Sequence, residues 1–215
     1  MDGQLVPAAS PGRDAPPSGP ADPAPLPLRV AAVAVARCAG RTAVLLARRE
    51  VHLPRGNVGL RLRFGDGSIG RVYRETVVAH PPRTQRCVLV VSFRLRGVRG
   101  LGHRAFEVES LLNTPLFVGF PGFVSKLWIA ADERGVYRGL YDWDDPDLAE
   151  AYARALWWVL ALVSHRASIH HRVVPGSSRV EAFAAAERPD PTAAQRLSDD
   201  EVMEEDGWWR VTEVS

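Results

Sequence analysis

The sequence predicts an α+β fold, a ferredoxin-like split βαβ arrangement in which two helices cover one face of a four-stranded antiparallel sheet. Between Cys87 and Pro175 the predicted elements follow the order strand, helix, strand, strand, helix, strand, which is the order of that fold. Upstream, alternating segments over 58–64 and 69–78 flank residues 65–68, Gly-Asp-Gly-Ser, and Asp-Gly is a strong hairpin signal. A small N-terminal β-hairpin extension is therefore predicted beside the main sheet.

The composition is that of an ordinary globular chain. Hydrophobic residues make up 46% of the 215 residues and charged residues 24%, which excludes a wholly disordered or collagen-like protein. The longest unbroken apolar run, 155–163, is less than half of the ~20 residues that span a bilayer, so no transmembrane segment is expected. Cys38 and Cys87 are too few for a disulfide scaffold or a cysteine-rich zinc site, and we expect a cytoplasmic protein.

The segments around the main unit differ in composition. Residues 1–28 are rich in proline and alanine and lack aromatic residues, so we expect a disordered tail without a secretory signal. Residues 29–86 carry the arginine-rich hairpin, and their first part, 29–47, is ambiguous between helix and strand. The main unit occupies residues 87–176. Residues 177–215 form an acidic C-terminal segment with little periodic pattern.

Positive charge is concentrated in the N-terminal half. From Leu28 to Arg104 there are sixteen arginines and three acidic residues, whereas residues 176–215 hold four basic and ten acidic residues. The hairpin resembles a β-ribbon that contacts phosphates, which makes a phosphate-binding or nucleic-acid-binding module a third hypothesis. Alternatively, the acidic C-terminal segment neutralises the same surface. The hairpin arginines are Arg61, Arg63, Arg71 and Arg74.

Each element of the main unit has its own sequence signal. Residues 87–95 form a β-branched, apolar run typical of a central strand, and residues 103–112 have a helical spacing that Pro115 breaks near Thr114. Asp145, followed by a proline, predicts the start of a second helix that extends to about residue 163. The remaining strands are predicted over 123–130, 136–143 and 168–174.

The predicted strands are apolar on both faces. Because side chains alternate along a strand, apolar residues such as Val88, Val90, Leu127 and Leu140 cannot all face the helices. The opposite face therefore needs a second cover. Two covers fit: a second copy of the chain, which implies a homodimer, or the N-terminal hairpin.

The stretch PGFVSKLWIAADERGVYRGLYDW, residues 121–143, followed by DDPDLAEAYARAL, resembles the YdhR-like monooxygenases of the dimeric α/β barrel superfamily. The resemblance extends over residues 87–175 and implies a homodimer with a cavity between sheet and helices in each subunit. Relatives in that superfamily include cofactor-independent oxygenases of aromatic polyketides, polyketide cyclases and haem-degrading enzymes. The first strand holds no asparagine, unlike the haem-degrading relatives, so haem degradation is not expected.

Lys126 is the first candidate for chemistry. It shares a strand face with Trp128, and Tyr137, Gly139 and Tyr141 share a face of the next strand. A lysine among aromatic rings can bind an anionic or phenolate oxygen, and desolvation there would lower its pKa. Alternatively, its side chain reaches solvent or pairs with a carboxylate.

Several aromatic residues are candidates for the wall of a ligand cavity. Such a wall suits a flat aromatic ligand, and a glycine within it leaves room for that ligand. The same rings could instead fill the core. The predicted substrate-binding residues are Trp128, Tyr141, Tyr137, Gly139, Trp158, Phe117 and Asn113.

The histidines provide candidate general bases. His170 and His171 are adjacent on the last strand, so they point to opposite faces and cannot chelate one metal together. His170 and His103 join Lys126 as candidate catalytic residues, with a surface or interface role as the alternative. The sequence contains no metal-ligand spacing, glycine-rich phosphate loop or nucleophile elbow, so no metal and no cofactor are predicted.

The leading hypothesis is a cofactor-independent monooxygenase or a related cyclase that acts on an aromatic or polyketide-like small molecule. In such chemistry the substrate supplies the electron to oxygen as a stabilised carbanion or phenolate. The protein then needs a base, a cation and a dry pocket. The competing hypothesis is a non-catalytic small-molecule-binding or scaffold protein of the same fold.

Overall fold

A computed structural model describes residues 24–78, 86–98, 102, 110–187 and 207–215 of the chain. The predicted tail therefore lies outside the described residues, except for its last five. His103 lies outside them as well, together with most of the helix predicted over 103–112.

The ambiguous segment 29–47 belongs to an α-helix, α1, which spans Leu28–Ala47. Its alanine-rich sequence favours a helix over a strand. The helix buries only a narrow stripe that includes Ala31, Cys38 and Thr42. In the described part of the chain, α1 is the one helix long and apolar enough to cross a membrane. The estimate from unbroken apolar runs misses it because arginines interrupt the sequence.

Within the described ranges, eight strands form one antiparallel sheet. They are β1 (Val51–His52), β2 (Arg61–Phe64), β3 (Ile69–Val78), β4 (Cys87–Arg94), β5 (Phe123–Ile129), β6 (Val136–Trp143), β7 (His170–Pro175) and β8 (Val211–Val214). The order is β7-β4-β6-β5-β3-β2-β8, and β1 pairs with β3. Its first four strands have the ferredoxin-like order, which confirms the predicted fold class. The N-terminal extension continues the same sheet because β3 pairs with β5.

Both predicted hairpins are confirmed. In the first, β2 pairs with β3 around Gly67, which has a positive φ of 78°. Asp66 fixes this turn by accepting hydrogen bonds from the backbone and the hydroxyl of Ser68 at 3.0 and 2.6 Å. In the second, β5 pairs with β6, and Gly135 takes a positive φ of 76°. Turn chemistry therefore fixes both registers.

The long helix of the main unit, α2, spans Pro146–Val163. As predicted, Asp145 caps it, since the side chain accepts hydrogen bonds from the backbone N–H groups of Asp147 and Leu148 at 2.8 and 3.1 Å. The helix α1 packs against α2. The wide apolar surface of α2 indicates a second partner besides the sheet, and the structure identifies that partner as α1.

Two shorter helical segments differ from expectation. A 3-10 helix runs through Ser110–Leu116, so the predicted break near Thr114 is wrong: the segment continues through Pro115 as a tighter helix. In the C-terminal segment, helix α3 spans Arg179–Glu187. Its start is a capping box, in which Ser178 and Glu181 exchange hydrogen bonds. The acidic composition and weak periodicity of the segment did not indicate this helix.

The sheet separates two apolar cores. The first core lies on the helix side and contains aromatic residues such as Phe117, Trp128 and Tyr152. The second core lies on the opposite face. Of the two covers left open by the sequence, the structure has the N-terminal hairpin, joined by α3 and β8 from the C-terminal segment. The homodimer stays a prediction. Because the same chain covers this face of the sheet, the face no longer requires a second copy. The second core consists of Leu62, Phe64, Val72, Val88, Val90, Leu127, Ile129, Leu140 and Val211.

Candidate functional site

A cavity of about 490 Å³ opens on the helix side of the sheet, between the strands, the 3-10 helix and the C-terminal half of α2. Its volume falls within the range of about 300–1,000 Å³ that is typical of small-molecule sites. Most of its walls are apolar. The lining residues used below are Arg96, Asn113, Phe117, Lys126, Trp128, Tyr141 and Tyr152.

Strand pairing places the central residues of the cavity in two adjacent rows. Lys126 on β5 is opposite Tyr141 on β6 and Thr76 on β3. Trp128, two residues further along β5, is opposite Gly139 and Arg74. Because these residues share one face of the sheet, Lys126 and Trp128 lie together as the sequence indicated.

The amine of Lys126 lies among aromatic rings. Its Nζ is 3.1 Å from the ring centroid of Trp128 and 4.7 Å from those of Phe117 and Tyr141. Among the described residues, no carboxylate pairs with this amine, and the side chain is only 6% exposed. Within the described ranges, the structure therefore shows neither a solvent-reaching nor a carboxylate-paired lysine. Burial lowers the pKa of Lys126 well below its usual value, and the nearby charge of Arg74 lowers it further.

Arg74 is a second buried cation on this face. Its guanidinium donates to the carbonyl of Ser110 at 2.9 Å and to the hydroxyl of Thr114 at 2.6 Å, and it lies 5.0 Å from the Trp128 ring. Its Nε has no hydrogen-bond partner in the part of the chain that the structure describes. Burial lowers the pKa of this guanidinium too. Two buried cations thus lie beside one ring without an ion pair to either among the described residues.

The sequence grouped Arg74 with the other arginines of the hairpin surface, but a β-bulge turns it towards the cavity. The register of β3 against β5 shifts between Val72 and Arg74, so that Tyr73 is an extra residue. Val72 faces the second core, and after the bulge Arg74 faces the first. Regular alternation would put residue 74 on the same face as Val72, and the bulge reverses that face.

Two tyrosines bring hydroxyl groups to the cavity. The hydroxyl of Tyr152, on α2, donates to that of Tyr141 at 3.2 Å. Burial raises the pKa of both phenols, so both stay protonated at neutral pH and can donate hydrogen bonds. Gly139 makes room for Tyr141 rather than for a ligand, because a Cβ there would lie 2.6 Å from the Tyr141 ring. Tyr152 was missed because helix periodicity marks it only as a core position.

Arg96 lies at the mouth of the cavity. Its guanidinium donates to the last carbonyls of α2, those of Ala161 and Leu162, at 2.8 and 2.6 Å. The exposed side chains of Leu162 and Val163 lie beside it in the cavity lining. This arrangement fixes the end of α2 at the entrance.

Of the other predicted site residues, Phe117 and Asn113 line the cavity, and three do not. Tyr137 is buried and stacks on Phe93, which itself lines the cavity, with ring centroids 5.7 Å apart. Trp158 donates to the carbonyl of Leu26 at 2.6 Å, outside the cavity. His170 is exposed and lies near the Trp208 ring, with centroids 6.1 Å apart.

His171 and the cysteines contribute no nucleophile or base to the cavity. His171 lies 3.1 Å from both carboxylate oxygens of Glu150 on α2, outside the lining. Cys38 and Cys87 are free and buried. Burial raises the pKa of Cys87 to about 12 and also raises that of Cys38, so both thiols stay protonated.

Comparison with known proteins adds little to this geometry. None of the protein families compared with the chain matches it, and no curated protein does. Among solved structures, the chain is similar to an uncharacterised ferredoxin-fold protein from Listeria monocytogenes, described as related to antibiotic biosynthesis monooxygenases. The identity is 15%, over 64% of this chain and 88% of that one, with a TM-score of 0.36. A likeness this low carries no argument, and the fold assignment follows from the strand order.

Proposed function

We propose that the cavity binds a flat aromatic or polyketide-like small molecule with an ionisable oxygen, and that the chain is a cofactor-independent monooxygenase or a related cyclase. One observation carries the proposal: the buried amine of Lys126 faces a ligand-sized cavity among three aromatic rings, with no carboxylate beside it in the described residues. Protonating this amine without an anion beside it is costly, and an oxyanion formed in the cavity removes that cost.

Lys126 acts as the base in this proposal. Its lowered pKa increases the share of neutral amine, whose Nζ can accept the proton of a phenol or enol. The products are an ammonium and an oxyanion in contact within an apolar pocket, where their attraction is stronger than in water. The resulting electron-rich substrate then reacts with oxygen or closes a ring.

The hydroxyl of Tyr141 serves as hydrogen-bond donor to the oxyanion, with Tyr152 holding it in place. Both stay protonated for the reason given above. Arg74 adds positive charge from behind Trp128 without offering a proton acceptor. The walls need only orient the ring system and exclude water.

Binding without turnover is the second candidate. It is favoured by the close ring packing beside the cavity, where Phe117 and Trp128 meet edge to face with centroids 5.2 Å apart. The phosphate-binding hypothesis receives less support. Arg63 of the hairpin pairs with Glu213 at 2.8 Å, and Arg74 is turned inward. A homodimer and a cytoplasmic location remain predictions.

Oxygen uptake tests the proposed activity. Purified protein is incubated with anthrone-type and other phenolic substrates under oxygen, with and without added metal or flavin. We expect turnover that needs neither addition and that is lost in Lys126→Ala. His170→Ala is the matched control, because His170 is exposed and away from the cavity. Ligand binding is followed in parallel by tryptophan fluorescence, and binding without oxygen uptake in any substrate supports the second candidate.

A further inference from the structure

Lys126 is the single lysine of the chain; the other twenty-six of its twenty-seven cationic residues are arginines. A site that only had to hold an anion could use arginine, which is the cationic residue at every other position of the chain. Arginine cannot be deprotonated in proteins, whereas lysine can become a neutral amine with a free electron pair. This single lysine is also the residue whose Nζ faces the aromatic cavity, 3.1 Å from the ring centroid of Trp128.

We propose that Lys126 is a nucleophile that captures the carbonyl group of an aromatic aldehyde or ketone in the cavity as an imine. The proposal rests on the cavity being a small-molecule site, as argued above, and adds a class of ligand and a covalent step to it.

The surroundings of the amine favour this chemistry. The structure places three aromatic rings within 4.7 Å of Nζ and, among the described residues, no carboxylate that would hold the amine as an ammonium. The charge of Arg74 opposes a second positive charge nearby, an arrangement known to activate lysine amines. At pH 7 an ordinary exposed lysine is neutral in only about one molecule in 2,500. Lys126 is neutral far more often, because burial lowers its pKa.

The covalent step balances without any other reagent. The electron pair of Nζ attacks the carbonyl carbon, a C–N bond forms, and the carbonyl oxygen takes a proton to give a carbinolamine. Loss of that oxygen as water leaves a C=N bond. The net change is amine plus carbonyl to imine plus water, with nothing oxidised or reduced. The cavity opens at Arg96, which provides a route for water to leave.

Borohydride trapping tests the inference on the full chain. The probe is 2-naphthaldehyde, added at pH 7 with sodium borohydride or sodium cyanoborohydride, followed by mass spectrometry of the intact protein and its peptides. Since there is one lysine, the expected product is a naphthylmethyl group on the peptide that contains Lys126, which peptide mapping separates from labelling of the N-terminal amine. We expect labelling at least about tenfold faster than for N-acetyl-lysine under the same conditions.

Two variants and a second probe make the outcome decisive. Lys126→Arg keeps the positive charge and Lys126→Met keeps the apolar stem, and neither can form the adduct. 2-Naphthol has the same ring system without a carbonyl and reports binding alone through tryptophan fluorescence. An unlabelled Lys126 peptide overturns the inference; if naphthol still binds, the proposed small-molecule site survives it. If neither probe interacts with the protein, both proposals fail.

Discussion

Replacing Lys126 by Met should make the protein more stable at neutral pH. Methionine keeps an unbranched stem of similar length among the three rings and removes a buried amine that has no anionic partner in the described residues. In the unfolded chain, lysine is protonated up to about pH 10. In the folded chain, burial lowers its pKa, so the unfolded state binds more protons at neutral pH.

The size of the effect follows from the cost of burying charge. Replacing even a buried ion pair by apolar residues of similar volume is often neutral or stabilising by about 1–4 kcal/mol, and an amine without an anionic partner has no pair to lose. The cation–π contacts act only on the protonated share of the amine, which the lowered pKa reduces, so they offset only part of this gain. For a chain of this length, 1 kcal/mol corresponds to about 2–4 °C in Tm. We therefore expect Lys126→Met to raise Tm by on the order of 5 °C at pH 7.

The pH dependence separates this explanation from improved packing. Wild-type stability should rise with pH from the lowered pKa of folded Lys126 towards its unfolded pKa, where both states carry a neutral amine. The difference between wild type and Lys126→Met should therefore shrink between pH 7 and pH 10. Thermal unfolding by circular dichroism at several pH values measures it. A variant less stable than wild type, or a difference that does not change with pH, would refute the reasoning.

Three further substitutions test the fold and the cavity. Gly119→Ala should cost about 1–3 kcal/mol in thermal or urea unfolding, because its Cβ would clash with the carbonyl oxygen of Cys38 in α1; unchanged stability contradicts that contact. Asp145→Ala should cost about 1 kcal/mol by removing the α2 cap, and Asp145→Asn should recover most of it. Gly139→Ala should push the Tyr141 ring into the cavity and weaken 2-naphthol binding, with a smaller effect on stability than on affinity when both are expressed as free energies. An unchanged naphthol affinity contradicts this placement of the ring.

Local patterns predicted much of the fold. The Asp-Gly hairpin and the capped start of α2 depend on residues within a few positions of each other, and both are as expected. The shared face of Lys126 and Trp128 follows from strand alternation alone. These features need no knowledge of distant parts of the chain.

Other features depend on contacts between distant segments and could not be read from local patterns. Helix α1 was ambiguous because its buried stripe is narrow, and it covers one side of α2. Trp158 consequently faces the segment before α1 instead of the cavity. Arg74 changed sides through a one-residue bulge, which alternation cannot anticipate. The site residues on regular strands, such as Lys126 and Trp128, were thus predicted. Those on a helix or after a bulge, Tyr152 and Arg74, were missed.

Because of its bulge, β3 contributes side chains to both faces of the sheet. Residues before it serve the core shared with β8, and residues after it supply Arg74 and Thr76 to the wall behind Trp128. A shortened protein that started at Cys87 would keep all four strands of the ferredoxin order yet lose the guanidinium that discourages protonation of the amine. Chemistry in the cavity would therefore depend on a segment that looks, in sequence, like a dispensable appendage.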